Sequence, residues 1–509
     1  MGSCKLTKLL LQKMKEGNFQ SIAEAKALTE VKSELFHKVT CSKCCSRDLQ
    51  VQEGLKAKSL LEASIHKVLR ALDAQERLKE ESQSKASIYK VPSKLRLVET
   101  QAFIPNIISI GPYHHGEPRL QAMEAVKWKF FDRLFDPNQQ NAAKNFKDVY
   151  EAIEKHDVAA RDYYSDSVEF CKEKFVEIMM VDGCFVVQLF RQLRMPGSNE
   201  SNLIKRWMMP FLRRDLIMLE NQIPMVILKK IFSITQESMS LEELALNFFK
   251  PLMHPRGEEF TLHIRPETET GKDHAHLLDL FRSSLLPKIK ERNKEPHIFH
   301  SVEELKEAFI KIKKTGNCKP LDIGIEGRVL KIPPLYFNDY TGTLYRNLVA
   351  FEQCHNSIKP DVTRYLLFLD GLINSAKDVE ILHYAGVLQH SLGNNKEVAR
   401  LVNKLCKEVA PDIEESYLFE VVGGIHKHCN KVKNRLIAIL VHNYFCNLWV
   451  GISTVLAAVL LCLTLVQTCC AISGGKVDKH FWTLLGKSFR APFSSFPDFS
   501  NASTDGEKK

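Results

Sequence analysis

The longest apolar stretch of the chain runs from Leu448 to Ile472, LWVGISTVLAAVLLCLTLVQTCCAI, 25 residues without one charge. A helix rising about 1.5 Å per residue crosses the hydrocarbon core of a bilayer with about 20 apolar residues. Trp449 lies at one end, where an indole suits the headgroup layer, and Lys427, Lys431, Lys433, Arg435 before and Lys476, Lys479, Lys487, Arg490 after flank the run. Core helices seldom extend so far uncharged. A transmembrane helix over 448–472 is therefore expected, with the bilayer as its partner. Four basic residues on each side balance one another, so the positive-inside rule does not set the orientation. The opening MGSCKLTKLLLQKMKEGN has lysines breaking its apolar stretch and reads as no signal peptide, which favours a cytoplasmic body at the plasma membrane.

Upstream, residues 87–430 read as a large, mainly helical body. Ser301 and Glu304 form a capping box ahead of Val302, Leu305, Phe309 and Ile312, spaced three, four and three. Leu344, Leu348 and Phe351 mark a second helix, and Val398, Leu401, Val402, Leu405 and Val409 a third that Pro411 ends. Strand signals are few. Leu321–Leu335, LDIGIEGRVLKIPPL, alternates, turns near Glu326-Gly327 and returns as a minor β-hairpin, and a short strand is expected over Ile107–Ile110.

Residues 1–86 read as a basic helical extension, with Leu61, Ile65, Val68 and Leu72 on one stripe that suits docking. Its start, KLTKLLLQKMK, resembles a membrane-surface helix, and Gly2 and Cys4 are candidates for acylation, although Leu6 departs from the myristoylation pattern. Residues 431–447 form a basic juxtamembrane segment, and 473–509 a tail expected to be disordered.

Composition refines this division. Of 509 residues 44% are apolar, and the mean hydropathy of −0.19 excludes both a disordered chain and a polytopic transporter. Half of the net charge of +10 falls in residues 1–86, with 16 basic against 11 acidic side chains. The nearly neutral remainder carries no basic module with groove-reading elements, so no nucleic-acid partner is expected. Fourteen scattered cysteines in so long a chain suggest reduced thiols rather than a disulfide framework. His37, Cys41, Cys44 and Cys45 have soft-ligand chemistry, but zinc sites draw on two separated pairs, so reduced or palmitoylated thiols are favoured.

No G-x-S-x-G, H-E-x-x-H, G-x-G-x-x-G or phosphate-loop signature occurs, so no cofactor is expected and catalytic residues stay unassigned. Three polar clusters remain. Tyr113-His114-His115-Gly116 with Glu117 suits metal binding or titration near neutrality, against a plain Gly-Pro turn, the favoured reading. Glu220-Asn221-Gln222, before Pro224, is a polar triplet inside an apolar helix; bracing of neighbouring backbone is favoured over a catalytic carboxylate at Glu220. His426, His428 and Cys429 offer metal ligands or, preferentially, a cationic face for anionic headgroups.

Read together, SIYKVPSKLR (87–96), FIPNIISIGPYHHGEPRLQAMEAVKWKF (103–130), MMVDGCFVVQLF (179–190), RRDLIMLENQIP (213–224) and HLLDLFRSSLLP (276–287) resemble the plant family called domain of unknown function 247. LDIGIEGRVLKIPPL, RNLVAFEQC (346–354), DGLINSAKDVEIL (370–382) and the apolar run continue the resemblance to about Thr468. Asn447, where the family usually has proline, and Gly371, where cysteine is common, depart from it. The resemblance implies a single-span plant membrane protein and supplies no reaction, ligand or site residue. Some grass members are associated with self-incompatibility, which points to recognition. The expected function is a membrane-anchored, non-enzymatic recognition or signalling component with a protein partner. The alternatives are an enzyme with an unrecognised site near His114, His115 and Glu220, and a lipid-surface scaffold.

Overall fold

The computed structural model describes residues 85–138, 141–192, 203–235, 238–253, 262, 273–289, 291–294, 299–316, 319–409, 415–430 and 448–472. Outside these lie residues 1–84 of the expected extension, with Gly2, Cys4, the Leu61 stripe and the His37/Cys41/Cys44/Cys45 cluster, and also segments 431–447 and 473–509. Two compact units emerge: residues 1–303 with 310–426, and 304–309 with 427–509.

In the first unit the helix Lys172–Gln192 takes the centre. KEKFVEIMMVDGCFVVQLFRQ is apolar on nearly every face, and a helix of that kind must be covered all round. Helices Gln121–Leu134, Ala142–Lys155, Met225–Phe232 and Leu241–Phe249 pack on it. Phe130 meets Phe185 edge-on at 5.1 Å between ring centres, and Phe190 meets Phe248 at 5.0 Å. Gly183 permits a close approach by helix Met225–Phe232, since a Cβ there would stand 2.3 Å from Ile231 Cδ1.

A second group of helices surrounds Thr341–Cys354, whose predicted stripe Leu344, Leu348 and Phe351 is buried. Asp361–Leu372, Asn395–Leu405 and the 3-10 turn Thr100–Phe103 pack against it. The Asn395–Leu405 helix buries Val398, Val402 and Leu405 after Asn394 caps it through the Glu397 amide. It stops short of Val409, and Glu408 beyond it takes a φ of +58°.

Strands stay small. The expected hairpin forms from Gly324–Glu326 and Val329–Ile332, with Ile325 opposite Leu330 and Gly327 at φ +60° in a two-residue turn. A third strand, Lys311–Lys314, joins Val329–Ile332 in parallel. That strand corrects the helix expected through Ile312. The helix covers only Val302–Glu307; Phe309 adopts a φ of +59° and points to solvent, so Ile312 starts in extended backbone and pairs with Leu330. Two more pairs, Asn293–Lys294 with Glu415–Ser416 and Leu335–Phe337 with Leu388–His390, and a single parallel bridge between Ile88 and Tyr164 complete the described β-structure. The fold is mainly helical with a few small strands.

In the second unit Leu448–Ile472 forms one helix. Its described side chains are mostly exposed, Leu460 and Leu461 to 62%. Thr464 and Thr468 turn their hydroxyls back onto the carbonyls of Leu461 and Thr464. The described side chains run without a break only from Ile452 to Thr468, and among the described residues no helix is long and apolar enough to cross a membrane. The structure thus supplies the expected helix but not the crossing.

Candidate functional site

Ile107–Ile110, expected as a strand, belongs to none. Buried backbone N–H groups need acceptors, and here side chains supply them. The Asp215 carboxylate accepts from the amides of Asn106 (2.9 Å), Ile107 (2.8 Å) and Ile108 (3.2 Å). Asn221 Oδ1 accepts from the Ile110 amide at 2.7 Å, and Asp182 Oδ2 from the Gly111 amide at 2.8 Å. Gly111 stands at φ +77°, and a Cβ there would lie 2.4 Å from the Gln222 carbonyl oxygen, so only glycine fits this close passage.

Glu220-Asn221-Gln222 does not sit inside a helix. Helix Met208–Asp215 ends before it and Met225–Phe232 starts after it, so the triplet lies in a buried connection whose backbone is left without a regular ladder. The side chains close those gaps. Asn221 Nδ2 donates to the carbonyls of Asp215 (2.9 Å) and Ile108 (3.2 Å). Gln222 Nε2 donates to Leu216 O at 2.8 Å and Met218 O at 2.9 Å, while its Oε1 accepts from the Leu278 amide at 3.2 Å. From the other helical group Asn347 Oδ1 accepts the Leu219 amide at 2.9 Å, and Asn347 Nδ2 donates to Ala102 O at 2.8 Å.

Glu220 is equally engaged. Its Oε1 accepts from the Val91 amide at 2.6 Å and from the Arg96 guanidinium. Its Oε2 lies 3.4 Å from His114 Nε2, an ion-pair approach without hydrogen-bond alignment. His114 Nδ1 contacts Glu117 at 2.6 Å, and Glu117 also pairs with Arg119. Burial works to raise the Glu220 carboxyl, but His114, Arg96 and the Val91 amide outweigh it and hold its pKa below the usual value. Asp215 goes the other way. Burial pushes it up to about 6 against three backbone amides.

His115 leaves this hub. It lines a cleft of about 160 Å³ with Gly116, Glu124, Trp128, Lys174, Glu177 and Asp182. Its Nδ1 is shielded from solvent and has no partner, and its ring edge meets Phe170 at 5.6 Å. Burial pushes the imidazole pKa down, against the pull of Asp182. Behind the cleft the fully buried Lys127 bridges Glu124 Oε1 and Asp182 Oδ1, both at 2.7 Å. Burial nonetheless raises the Asp182 carboxyl, Lys127 working to lower it.

The structure therefore brings His114 to Glu220 and places His115 elsewhere. Lys127, Asp182 and Asp215 are members that sequence reasoning passed over; a lone acid in an apolar run, as in MMVDGCF and RRDLIML, was the available signal. In the third cluster His428 Nε2 contacts the Ala308 carbonyl at 3.0 Å, and the His426 ring lies 6.4 Å from that of His300. Among the described residues no group of three His, Cys, Asp or Glu side chains is placed to hold a metal. The described cysteines, Cys171, Cys184, Cys354, Cys406, Cys429 and Cys462, are all free thiols.

Comparison with known proteins places these motifs. The model of the DUF247 family, a plant protein family of unknown function, matches residues 88–463. The UPF0481 protein At3g47200 of Arabidopsis thaliana is 26% identical over 421 residues, covering 76% of this chain and 86% of its own. A second Arabidopsis thaliana protein of the UPF0481 designation, At3g02645, is 22% identical over 480 residues, covering 74% of this chain and 88% of its own. No solved structure matches. The chain belongs to the DUF247 family.

Proposed function

We propose that this DUF247 member is a membrane-anchored, non-enzymatic recognition component, held in the bilayer by Leu448–Ile472 and engaging a protein partner through its helical body. The observation that carries the anchor is a 25-residue uncharged helix on which Val455, Leu456, Val459, Leu460, Leu461, Leu463 and Leu465 are each half exposed or more. Water penalises such a surface by about 25 cal/mol per Å², whereas lipid covers it and the helix satisfies its own backbone. The non-enzymatic reading is supported by where the polar chemistry goes. Asp215, Asn221, Gln222 and Glu220 are buried and committed to backbone or to Arg96 and His114.

Alkaline carbonate extraction of membranes expressing the full chain tests the anchor. The chain should stay in the pellet, and Leu460→Arg, which costs about 2.5–3.5 kcal/mol near a span centre, should release a measurable fraction. Complete release of the unaltered chain would refute the anchor. Crosslinking in intact membranes should recover a specific protein that depends on the body; recovery of none would refute recognition. Substrate turnover by the purified chain that disappears in a folded Glu220→Gln variant would instead favour an enzyme.

A further inference from the structure

Helix Met208–Asp215 turns Met208, Leu212 and Asp215 into the core. The side opposite them is aromatic and cationic. Trp207, just before the helix, is 59% exposed, and its ring meets Phe211 one turn on at 6.1 Å. The Arg214 guanidinium lies 5.6 Å from the Phe211 ring centre, so indole, phenyl and cation follow one another along a single row. Beside that row Arg213 donates Nε to the Phe248 carbonyl at 2.8 Å and lies over the Phe248 ring at 5.4 Å. Lys205 and Arg206, which lead into Trp207, are exposed.

The charge of this face is one-sided. No acid occurs from Leu203 to Arg214, and Asp215 is buried with its carboxylate on the amides of Asn106, Ile107 and Ile108. Among the described residues none of Lys205, Arg206, Arg213 and Arg214 has a carboxylate within ion-pair distance, whereas Arg96, Arg161, Arg282 and Arg292 each meet one. Burial pushes the pKa of both Arg213 and Arg214 down, so these cations gain from an approaching anion. A partner for the whole face has to offer negative charge to four cations and an interfacial layer to an exposed indole. The headgroup region of an anionic bilayer offers both.

We infer that this face docks on anionic phospholipid headgroups of the bilayer that holds the chain, an inference that rests on the proposed anchor. Lys205, Arg206, Arg213 and Arg214 meet the headgroup anions, and Trp207 enters the headgroup layer. A chain held by Leu448–Ile472 stays next to such a surface, and docking orients the body on it, which sets the faces left open to a protein partner.

Acrylamide quenching of the full chain in bilayer nanodiscs, of phosphatidylcholine alone or with phosphatidylserine, tests this. The Trp207 signal is the difference between the chain and Trp207→Phe. Phosphatidylserine should shield Trp207 from the quencher, and high salt should reverse the shielding. Each basic residue near an anionic surface favours contact about fivefold, so Lys205→Gln combined with Arg206→Gln should lower the ratio of docked to free body about thirtyfold and restore quenching. Both positions are exposed, so the variant keeps the fold. A chain that does not co-elute with the discs refutes the anchor and the docking together. A chain that co-elutes, with Trp207 quenched equally in both lipids or shielded as well in the double variant, refutes the docking alone. Shielding by an added oligoglutamate peptide but not by phosphatidylserine would assign the face to an acidic protein and overturn the inference too.

Discussion

Acidifying the protein from about pH 7.5 to about pH 4.5 interrogates a histidine that must stay neutral to be where it is. His276 is fully buried at the start of helix Leu277–Leu285. Its Nδ1 accepts the Asp279 amide at 3.2 Å as the helix N-cap, which leaves Nε2–H to donate to the Ser87 carbonyl at 3.0 Å. Both bonds need that one neutral tautomer, and the ring also meets Phe351 edge-on at 4.9 Å. Burial pushes its pKa from 6.5 down to about 4, although Asp279 and the Ser87 carbonyl pull upward. Between those two values the unfolded chain takes up a proton that the native state refuses, so stability falls as pH falls. At about 1.36 kcal/mol per pH unit the loss is about 3 kcal/mol, beginning near pH 6.5 and complete near pH 4. Urea unfolding of the full chain in detergent micelles, read by tryptophan fluorescence across this range, measures it. His276→Asn keeps a capping acceptor and removes the titration. The stability difference between wild type and variant should therefore shrink or reverse by about 3 kcal/mol on acidification. A difference that stays constant with pH refutes the argument.

Asp215 should show the opposite slope. Its carboxyl titrates near 6 in the fold against 3.8 in the unfolded chain, so its contribution is present below about pH 4 and lost by about 3 kcal/mol as pH rises through 6, a trend absent from Asp215→Asn in the same assay. Asn221→Ala removes the acceptor of the Ile110 amide and the donor to two carbonyls in a fully buried place. Urea denaturation should register a loss of about 2–4 kcal/mol, and a loss below about 1 kcal/mol would contradict the hub. Lys127→Met leaves Glu124 and Asp182 facing each other without their cation, which should cost about 3–5 kcal/mol. Adding Asp182→Asn, which keeps the acceptor for Gly111, should restore part of that loss; a further drop of equal size would show the two residues to be independent.

Legibility followed the range of the interaction. Leu344, Leu348 and Phe351 point one way on any helix, so their burial could be read from spacing, and alternation around Gly327 was enough for the hairpin. Ile107–Ile110 reads as a short strand, yet its amides go to Asp215 and Asn221, 107 to 111 residues away in sequence. No local pattern distinguishes a neighbouring strand from side chains as the acceptor. Lys127 reads as the polar face of an amphipathic helix, and its burial is decided only when Asp182 arrives from another helix. Phe309 continues the apolar stripe on paper, but a positive φ ends the helix before it.

Six of the blocks that carry the family resemblance meet in one place. SIYKVPSKLR contributes the Val91 amide and Arg96, FIPNIISIGPYHHGEPRL the backbone from Asn106 to Gly111 and His114, and MMVDGCF contributes Asp182. RRDLIMLENQIP adds Asp215 and the Glu220-Asn221-Gln222 triplet, HLLDLF the Leu278 amide, and RNLVAFEQC contributes Asn347. Each motif thus supplies one side of a hydrogen bond whose other side belongs to a distant motif. Substituting one partner alone leaves a buried polar group unsatisfied at about 1–3 kcal/mol. A side chain whose donors and acceptors are spent on the backbone has none left for a substrate. These motifs identify the scaffold, while His115 with Trp128 at the cleft and the apolar surface of Leu448–Ile472 stand outside its hydrogen-bond account.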